Sequence, residues 1–417
     1  PAAAGPALSI SAPAMTAWKR TFAATLVAQI CSILGFAFAF PFIPYFIKDL
    51  GITNKADQVF WSGIVMSATG VTLALFAPIW GILADRYGRK AMVVRSMIGG
   101  TLVMILVSYV QTVHELVICR LVQGMLTGTV TASIALVASV VPAKRGSFAL
   151  GMMHAAVMIG VCVGPYVGGV VADAYGYRVA FRIGALIIFA GGMVVLFGAR
   201  ENFIPPQEEA GATRSAFRSV FVAPGFLAAV FVLFSVRFSN SIARPSFPLI
   251  VKDILGSEDR LNTITGSIIA VAALSGATAA ALLGHFGDRL GHKRILICCA
   301  IGGAAASMAT YYANSLPAMY VVRICFGFAV AGMLPAANAI IHRAIRGDHL
   351  GKAYGMATSL SMAGFAFGPL LGGWVGGSFG LRVPFAVTGA CQVVVAVVVF
   401  LAIRPMLPHT DPPGEHP

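Results

Sequence analysis

Apolar residues run along this chain in twelve long blocks: 21–46, 60–83, 91–111, 116–140, 147–172, 180–199, 224–250, 263–284, 295–313, 317–341, 353–376 and 384–403. Each approaches or exceeds the roughly 20 residues that a helix needs to cross a bilayer. None alternates with the two-residue period of a membrane barrel strand, so helices are predicted throughout. The first block follows Lys19 and Arg20 and is too long for the core of a cleavable signal. The longest polar stretch between blocks, 200–223, holds Glu201, Pro205, Pro206, Glu208, Glu209 and Arg214. It divides the chain into an expected six-helix bundle over 17–200, a cytoplasmic linker over 201–223 and a second bundle over 224–404. Residues 1–16, rich in Ala, Pro and Ser, are expected to form a disordered tail, and 405–417 a C-terminal tail.

The pattern repeats at long range. GILADRYGRK at 81–90 returns as GHFGDRLGHK at 284–293, and RLVQG at 120–124 as RICFG at 323–327, both at an offset of 203. GVCVGPYVGG at 160–169 returns as GFAFGPLLGG at 364–373, YGYRVAF at 175–181 as FGLRVPF at 379–385, and Pro41 and Pro44 as Pro245 and Pro248, all at 204. Five matches in one register predict two copies of a six-span unit. An even number of spans sets both copies the same way up, which is one of the plans on which transporters are built.

Composition narrows the class. Of 417 residues, 58% are hydrophobic and 11% charged, against about 25% charged in an average soluble domain. A soluble enzyme, a disordered chain and a disulfide scaffold are excluded, and a polytopic all-α membrane protein remains. The net charge of +14 is spread in short groups between apolar blocks, unlike a nucleic-acid-binding surface. With the N-terminus inside, 17 Lys and Arg fall in inner loops, 7 in outer loops and 5 within spans. That bias predicts cytoplasmic termini in the inner membrane of a bacterium. Cys31, Cys119, Cys162, Cys298, Cys299, Cys325 and Cys391 all lie in apolar blocks and form no metal or disulfide pattern.

Three motifs carry further information. The 81–90 loop contains Gly81, Asp85, Arg86, Gly88 and Arg89, and its repeat contains Asp288. Block 4 contains Arg120, Gln123 and Gly124, and block 5 contains Gly160, Gly164, Pro165 and Gly168. Together with WKR at 18–20 and WSGIV at 61–65, these resemble the major facilitator superfamily, and within it the twelve-span drug:proton antiporters of bacterial multidrug-efflux type. The resemblance covers about Trp18 to Arg404. It implies the major facilitator fold, twelve transmembrane helices in two parallel six-helix repeats, and an alternating-access cycle. It also implies a cytoplasmic latch in which Asp85 faces the N-terminus of span 11. A charge cluster of Arg89 with an acid at the end of span 4 is part of the family's pattern, but 139–145 reads SVVPAKR and holds no acid.

The residues themselves suggest physical roles. A carboxylate among basic neighbours, as Asp85 is, suits the N-terminus of a neighbouring helix. Gly81 permits close helix contact and Gly88 a turn of positive φ. Gly160, Gly164 and Gly168 share one face and permit close approach of another span, and Pro165 permits a bend; Gly364, Gly368, Pro369 and Gly372 repeat the set. These are the candidate conformational gates.

A charge near the bilayer centre costs about 2.5–3.5 kcal/mol on an insertion scale, so intramembrane arginines are functional candidates. Arg120, Gln123, Thr127 and Thr131 share a helical face that should line water. Arg237 has Asn240 and Ser241 one turn on, and Asn338 lies in the cytoplasmic half of span 10. Phe36, Phe40 and Phe234 are candidates for an apolar cavity wall. No acid lies within a span, so the cavity is expected to be positive and to favour anionic, zwitterionic or neutral amphiphiles. Proton coupling then falls to Arg120 or to His154, the one mid-span histidine. His154 reads either as a proton switch or as an interhelical hydrogen-bond donor.

These readings lead to a non-enzymatic secondary transporter that exports amphipathic drugs or small organic compounds by alternating access. Its partners are the substrate, protons and the lipid bilayer, and it is expected to be monomeric. No nucleotide motif or metal cluster is present, so no cofactor is expected and a proton gradient would supply the energy. A dedicated metabolite or siderophore exporter, an organic-anion importer or facilitator, and a receptor or lipid-moving protein are the alternatives.

Overall fold

The computed structural model describes residues 12–203, 226–337 and 350–402, all helix or short connection with no strand among them. The helices are α1 (Ala12–Ala37), α2 (Ile43–Asp49), α3 (Lys55–Tyr87), α4 (Arg89–Val107), α5 (Val113–Leu126), α6 (Thr129–Val140), α7 (Gly146–Tyr175) and α8 (Tyr177–Gly198). There follow α9 (Phe226–Ile242), α10 (Phe247–Leu255), α11 (Leu261–Leu290), α12 (His292–Tyr312), α13 (Leu316–Ala331), α14 (Leu350–Phe379) and α15 (Val383–Ala402). Among the described residues ten segments are long and apolar enough to cross a membrane. Over the described residues, each of the twelve apolar blocks coincides with one helix or with two helices in tandem.

The tandem pairs follow from local chemistry. Span 1 leaves the α-helix after Ala37, makes a 3-10 turn at Phe40–Phe42 and resumes as α2. Pro41 and Pro44 lack the N–H that would continue the ladder. Span 7 breaks in the same way between α9 and α10, at Pro245. Span 4, expected as one run over 116–140, is two helices parted at Thr127 and Gly128, where Gly128 takes a φ of 129°. At the N-terminal end, α1 begins at Ala12, inside the segment expected to be a tail. Most of the expected linker and all of the C-terminal tail lie outside the described residues, as does Asn338; the side chain of Asp288 on α11 is likewise not described.

The repeat reappears in the packing. α1 packs on α7 and α8, and α4 on α8; correspondingly, α9 packs on α14 and α15, and α12 on α15. Some polar side chains inside these seams turn back to their own helix, as Thr25 does to the Thr21 carbonyl at 2.8 Å and Thr388 to that of Pro384 at 2.8 Å. The opposite faces are bare hydrocarbon, with Phe197 and Leu401 72% and 73% exposed, as lipid contact requires.

The chain separates into two compact units that do not follow the linker. The first holds residues 1–43, 75–208 and 262–267; the second holds 44–74, 209–261 and 268–417. α3 thus contributes its first twenty residues to the second unit and the rest to the first. The start of α11 belongs to the first unit.

Candidate functional site

In the first unit, α5 sets out the polar face. Thr112 caps the helix, its hydroxyl accepting the Glu115 N–H at 3.3 Å. Two turns on, Arg120 is 6% exposed and donates from Nη1 to Oε1 of Gln123 at 2.6 Å. Thr127 closes the helix by donating its hydroxyl to the Gln123 carbonyl at 2.7 Å. The Arg120 guanidinium lies 4.0 Å from the centroid of the Phe40 ring. Phe40 stacks on Phe36 at 5.7 Å and meets Phe181 at 6.1 Å. The aromatic rings take the cation's charge on their faces, an interaction that gains strength where water is excluded. Five expected site residues, Arg120, Gln123, Thr127, Phe36 and Phe40, therefore stand together.

In the second unit, Phe234 stacks on Phe238 with centroids 5.6 Å apart. Asn240 accepts at Oδ1 from Nε2 of Gln392 at 3.2 Å. Arg237 is half-buried, and its carbonyl accepts the Ser241 hydroxyl at 2.9 Å. The repeat of Arg120 is Arg323, whose guanidinium lies 4.1 Å from the Phe247 ring, 5.1 Å from Phe385 and 5.4 Å from Phe326. Arg323, Phe181 and Gln392 were not among the expected site residues. The offsets that pair Arg120 with Arg323 and Phe181 with Phe385 were the available signal.

The 81–90 loop is built around Gly88, whose φ of 93° bears out the expected turn. Asp85 and Arg89 form a long, largely exposed ion pair at 3.8 Å, and Arg86 stands 5.6 Å from the Tyr87 ring. The carboxylate at the nearest helix N-terminus is that of Glu201, just past span 6. Its Oε1 accepts the Arg89 N–H at 3.1 Å and its Oε2 that of Lys90 at 2.7 Å. The side chains of the first turn of α14, where the Asp85 latch was expected to close, lie outside the described residues. No described atom comes within 4 Å of a Cβ built on Gly81, so the close contact expected there is not seen among the described residues.

The glycine faces have definite partners. A Cβ on Gly160 would stand 2.6 Å from Cγ2 of Ile33, one on Gly164 would stand 2.6 Å from Cβ of Ala37, and one on Gly168 would overlap the Phe38 carbonyl. All three face span 1. In the second unit Gly364, Gly368 and Gly372 approach Phe234, Phe238 and Ile242 of span 7 in the same manner. Pro165 and Pro369 lie within unbroken helices. His154 is exposed on α7, one residue from the buried Met153, and no hydrogen bond reaches it among the described residues.

At the opposite end of α3 from the 81–90 loop, the second unit is tied by charge. Lys48 and Lys252 both hold Glu258, at 2.6 and 2.8 Å, and Lys55 holds Asp253 at 2.6 Å. Hydrogen bonds from Lys252 and Lys48 depress the Glu258 carboxyl to about 2.

A family model described as Major Facilitator Superfamily matches residues 25–239 and again 229–417. The multidrug resistance protein MdtG of Proteus mirabilis is 31% identical over 379 residues, covering 91% of this chain and 94% of that protein. The multi-drug resistance efflux pump PmrA of Streptococcus pneumoniae is 28% identical over 375 residues, covering 90% and 94%. In fold, the chain resembles a bacterial homolog of the human lysosomal transporter Spinster in its inward-facing, occupied form, with a TM-score of 0.77 over 94% of this chain and 97% of that one, at 15% identity. It also resembles the human transporter MFSD10, with a TM-score of 0.67 over 92% and 99%, at 18% identity. Apolar helices in two like halves, and a family model that matches each half in turn, make this chain a member of the Major Facilitator Superfamily, a multi-pass membrane transporter and not an enzyme.

Proposed function

We propose that this transporter exports amphipathic small molecules across the bacterial inner membrane by alternating access, in antiport with protons, and that anionic and neutral compounds are favoured. Relatives named for multidrug resistance support export of several unrelated compounds. The single observation that carries the charge preference is Arg120, a buried cation on the Phe40 face, hydrogen-bonded to Gln123 and set in spans that hold no acid. A buried charge costs free energy unless something compensates it, and a substrate anion would lower that cost. Arg237, Asn240, Phe234 and Asn338 are proposed as further substrate contacts, and Arg120 and His154 as the candidates for proton coupling. Both termini are assigned to the cytoplasm on the loop charge bias, and the working unit is taken as a monomer.

In the cycle, the 81–90 loop with Asp85, Arg86, Gly88 and Arg89, the Asp288 repeat, and the glycine faces at Gly160, Gly164, Pro165, Gly368 and Pro369 would serve as gates. Their tight seams slide or hinge while still excluding leak. The test uses everted membrane vesicles with an imposed proton gradient and a pH-sensitive dye. Anionic and neutral amphiphiles are expected to collapse the gradient, and Arg120→Ala to abolish the response. Collapse by cations alone would overturn the charge preference. Substrate movement without collapse would overturn proton antiport.

A further inference from the structure

The break in span 4 has the features of a binding site. α5 ends at Leu126 and α6 begins at Thr129, so the N–H groups of the first turn of α6 have no preceding helical carbonyl to bond. The dipole of α6 places partial positive charge at the same point, deep in the apolar layer. A helix start alone is not a site. Here four buried side chains accompany it.

Thr129 and Ser133 on α6 are 4% and 0% exposed, and Gln29 and Ser32 on α1 are 0% and 1% exposed. Both polar atoms of Gln29 and the hydroxyls of Ser32, Thr129 and Ser133 lack a hydrogen-bond partner among the described residues. α1 packs on α6, and Trp18, Phe22 and Leu26 of α1, with Ile134 and Val140 of α6, pack against a cluster of Val137 and Val141 on α6 and Ala149 and Met153 on α7. Consecutive odd and even spans run in opposite directions. With α1 and α6 antiparallel and in contact, Gln29 and Ser32 on α1 fall at about the level of Ser133 and Thr129 on α6. Five buried polar atoms on these two helices thus have no partner among the described residues, and buried polar groups ordinarily have one.

The surroundings fix its charge. α1 and α6 contain no acid. Trp80 donates from its indole to the Met125 carbonyl at 2.6 Å, just before the break, and Arg95 lies 3.3 Å from the Trp80 ring. Nε and Nη1 of Arg95 also lack partners among the described residues. Arg120 stands two turns before the break on the other side. The side chains and the helix start offer donors, and the nearby charges are positive. A Cβ built on Gly128 would meet nothing within 4 Å, so the backbone at the break is not packed over on that side.

We propose that the break in span 4, with Gln29, Ser32, Thr129 and Ser133, is a binding site for the carboxylate, or a like anionic oxygen group, of an amphipathic substrate. The inference rests on the proposed export of anionic amphiphiles and assigns that function a second anchor besides Arg120. Broken membrane helices receive anionic groups at their half-helix N-termini in other transporters.

The experiment uses the full-length purified protein with Trp18, Trp61 and Trp374 replaced by Phe, which leaves Trp80 as a reporter at the break. Benzoate is the probe, and methyl benzoate the uncharged control. Saturable change in Trp80 emission with benzoate and none with the ester is expected. Gln29→Met, Thr129→Val and Ser133→Ala, each close in shape to the parent, should each weaken benzoate about fivefold, the worth of one hydrogen bond. Where the triple-Trp variant fails to fold, the benzoate-induced rise in melting temperature of the parent protein gives the same comparison. Equal response to acid and ester, or benzoate affinity unchanged in all three variants, would overturn the proposal and leave the orphaned groups to water. Saturable benzoate binding without gradient collapse in vesicles would keep the site and overturn the exporter reading. Collapse by amphiphiles without benzoate binding at Trp80 would do the reverse.

Discussion

The carboxylate of Asp173 accepts the backbone N–H of Thr263 at 2.8 Å, and with it three further bonds: the Thr263 hydroxyl at 2.6 Å, the Asn262 N–H at 3.1 Å and the Asn262 side-chain amide at 2.8 Å. An acid at the end of span 5 thus caps the N-terminus of span 8, where the helix dipole favours negative charge. Beside it, a Cβ on Gly169 would overlap the Asn262 carbonyl, so the helices touch through backbone. Asp173→Ala is expected to speed amide hydrogen exchange over residues 261–268 by roughly thirtyfold, at about 1 kcal/mol for each of the two backbone bonds lost. Asp173→Asn should fall between. Unchanged exchange would mean that Gly169 and not the carboxylate sets the contact.

Arg120 tests the aromatic platform. Lys keeps the charge but lacks the planar group that lies on Phe40 and reaches Gln123. Arg120→Lys is expected to cut vesicle transport of an anionic amphiphile by roughly thirtyfold, as loss of a desolvated cation–π contact of about 2 kcal/mol implies. Phe40→Leu should give a similar loss, and the double variant less than the product of the two, since the residues share one interaction.

Two glycines of α7 should part company. A Cβ at Gly168 would overlap the Phe38 carbonyl, whereas one at Gly151 meets nothing within 4 Å. Gly168→Ala is expected to destabilise by about 1–3 kcal/mol through overpacking, visible as a lower melting temperature and slower transport. Gly151→Ala should be neutral or raise stability by up to about 1 kcal/mol, since Ala suits a helix better than Gly.

The Glu258 triad sets a pH window. Its folded carboxyl, near 2, lies below the ordinary value of about 4.3. The stability it contributes is present above about 4.3 and is lost as pH falls towards 2. The difference in melting temperature between the parent and Glu258→Gln should be flat from about pH 8 to 5 and shrink below 4. Because the pair partners are largely exposed, the difference should be small and should fade in about 1 M salt.

Glu201 gives a sharper structural test. Glu201→Gln keeps an acceptor for the Arg89 and Lys90 N–H groups but loses the charge that meets the α4 dipole. Glu201→Ala loses both. Exchange at residues 89–91 is expected to rise in the order Glu, Gln, Ala. If Asp85 caps α4 instead, Asp85→Ala and not Glu201→Ala will show that rise.

By itself the sequence determined the parts that depend on local length and on self-comparison. Bilayer thickness imposes an apolar length that any stretch either has or lacks, so the blocks reappear as helix, whole or in tandem, over the residues that are described. Duplication is preserved in register, so Arg323 and Phe385 were foreshadowed by Arg120 and Phe181. The positive φ of Gly88 was legible because a sharp loop leaves few conformations for that residue. The tertiary structure decided everything that needs a partner distant in the chain. It set the glycines of span 5 against span 1, put Glu201 at the start of α4, and laid Arg120 on Phe40. It also split span 4 at Gly128, which apolar composition could not reveal, since both half-helices are apolar enough to read as one span. A side chain's neighbour across a seam is fixed by the packing of many helices at once, and no local pattern encodes it.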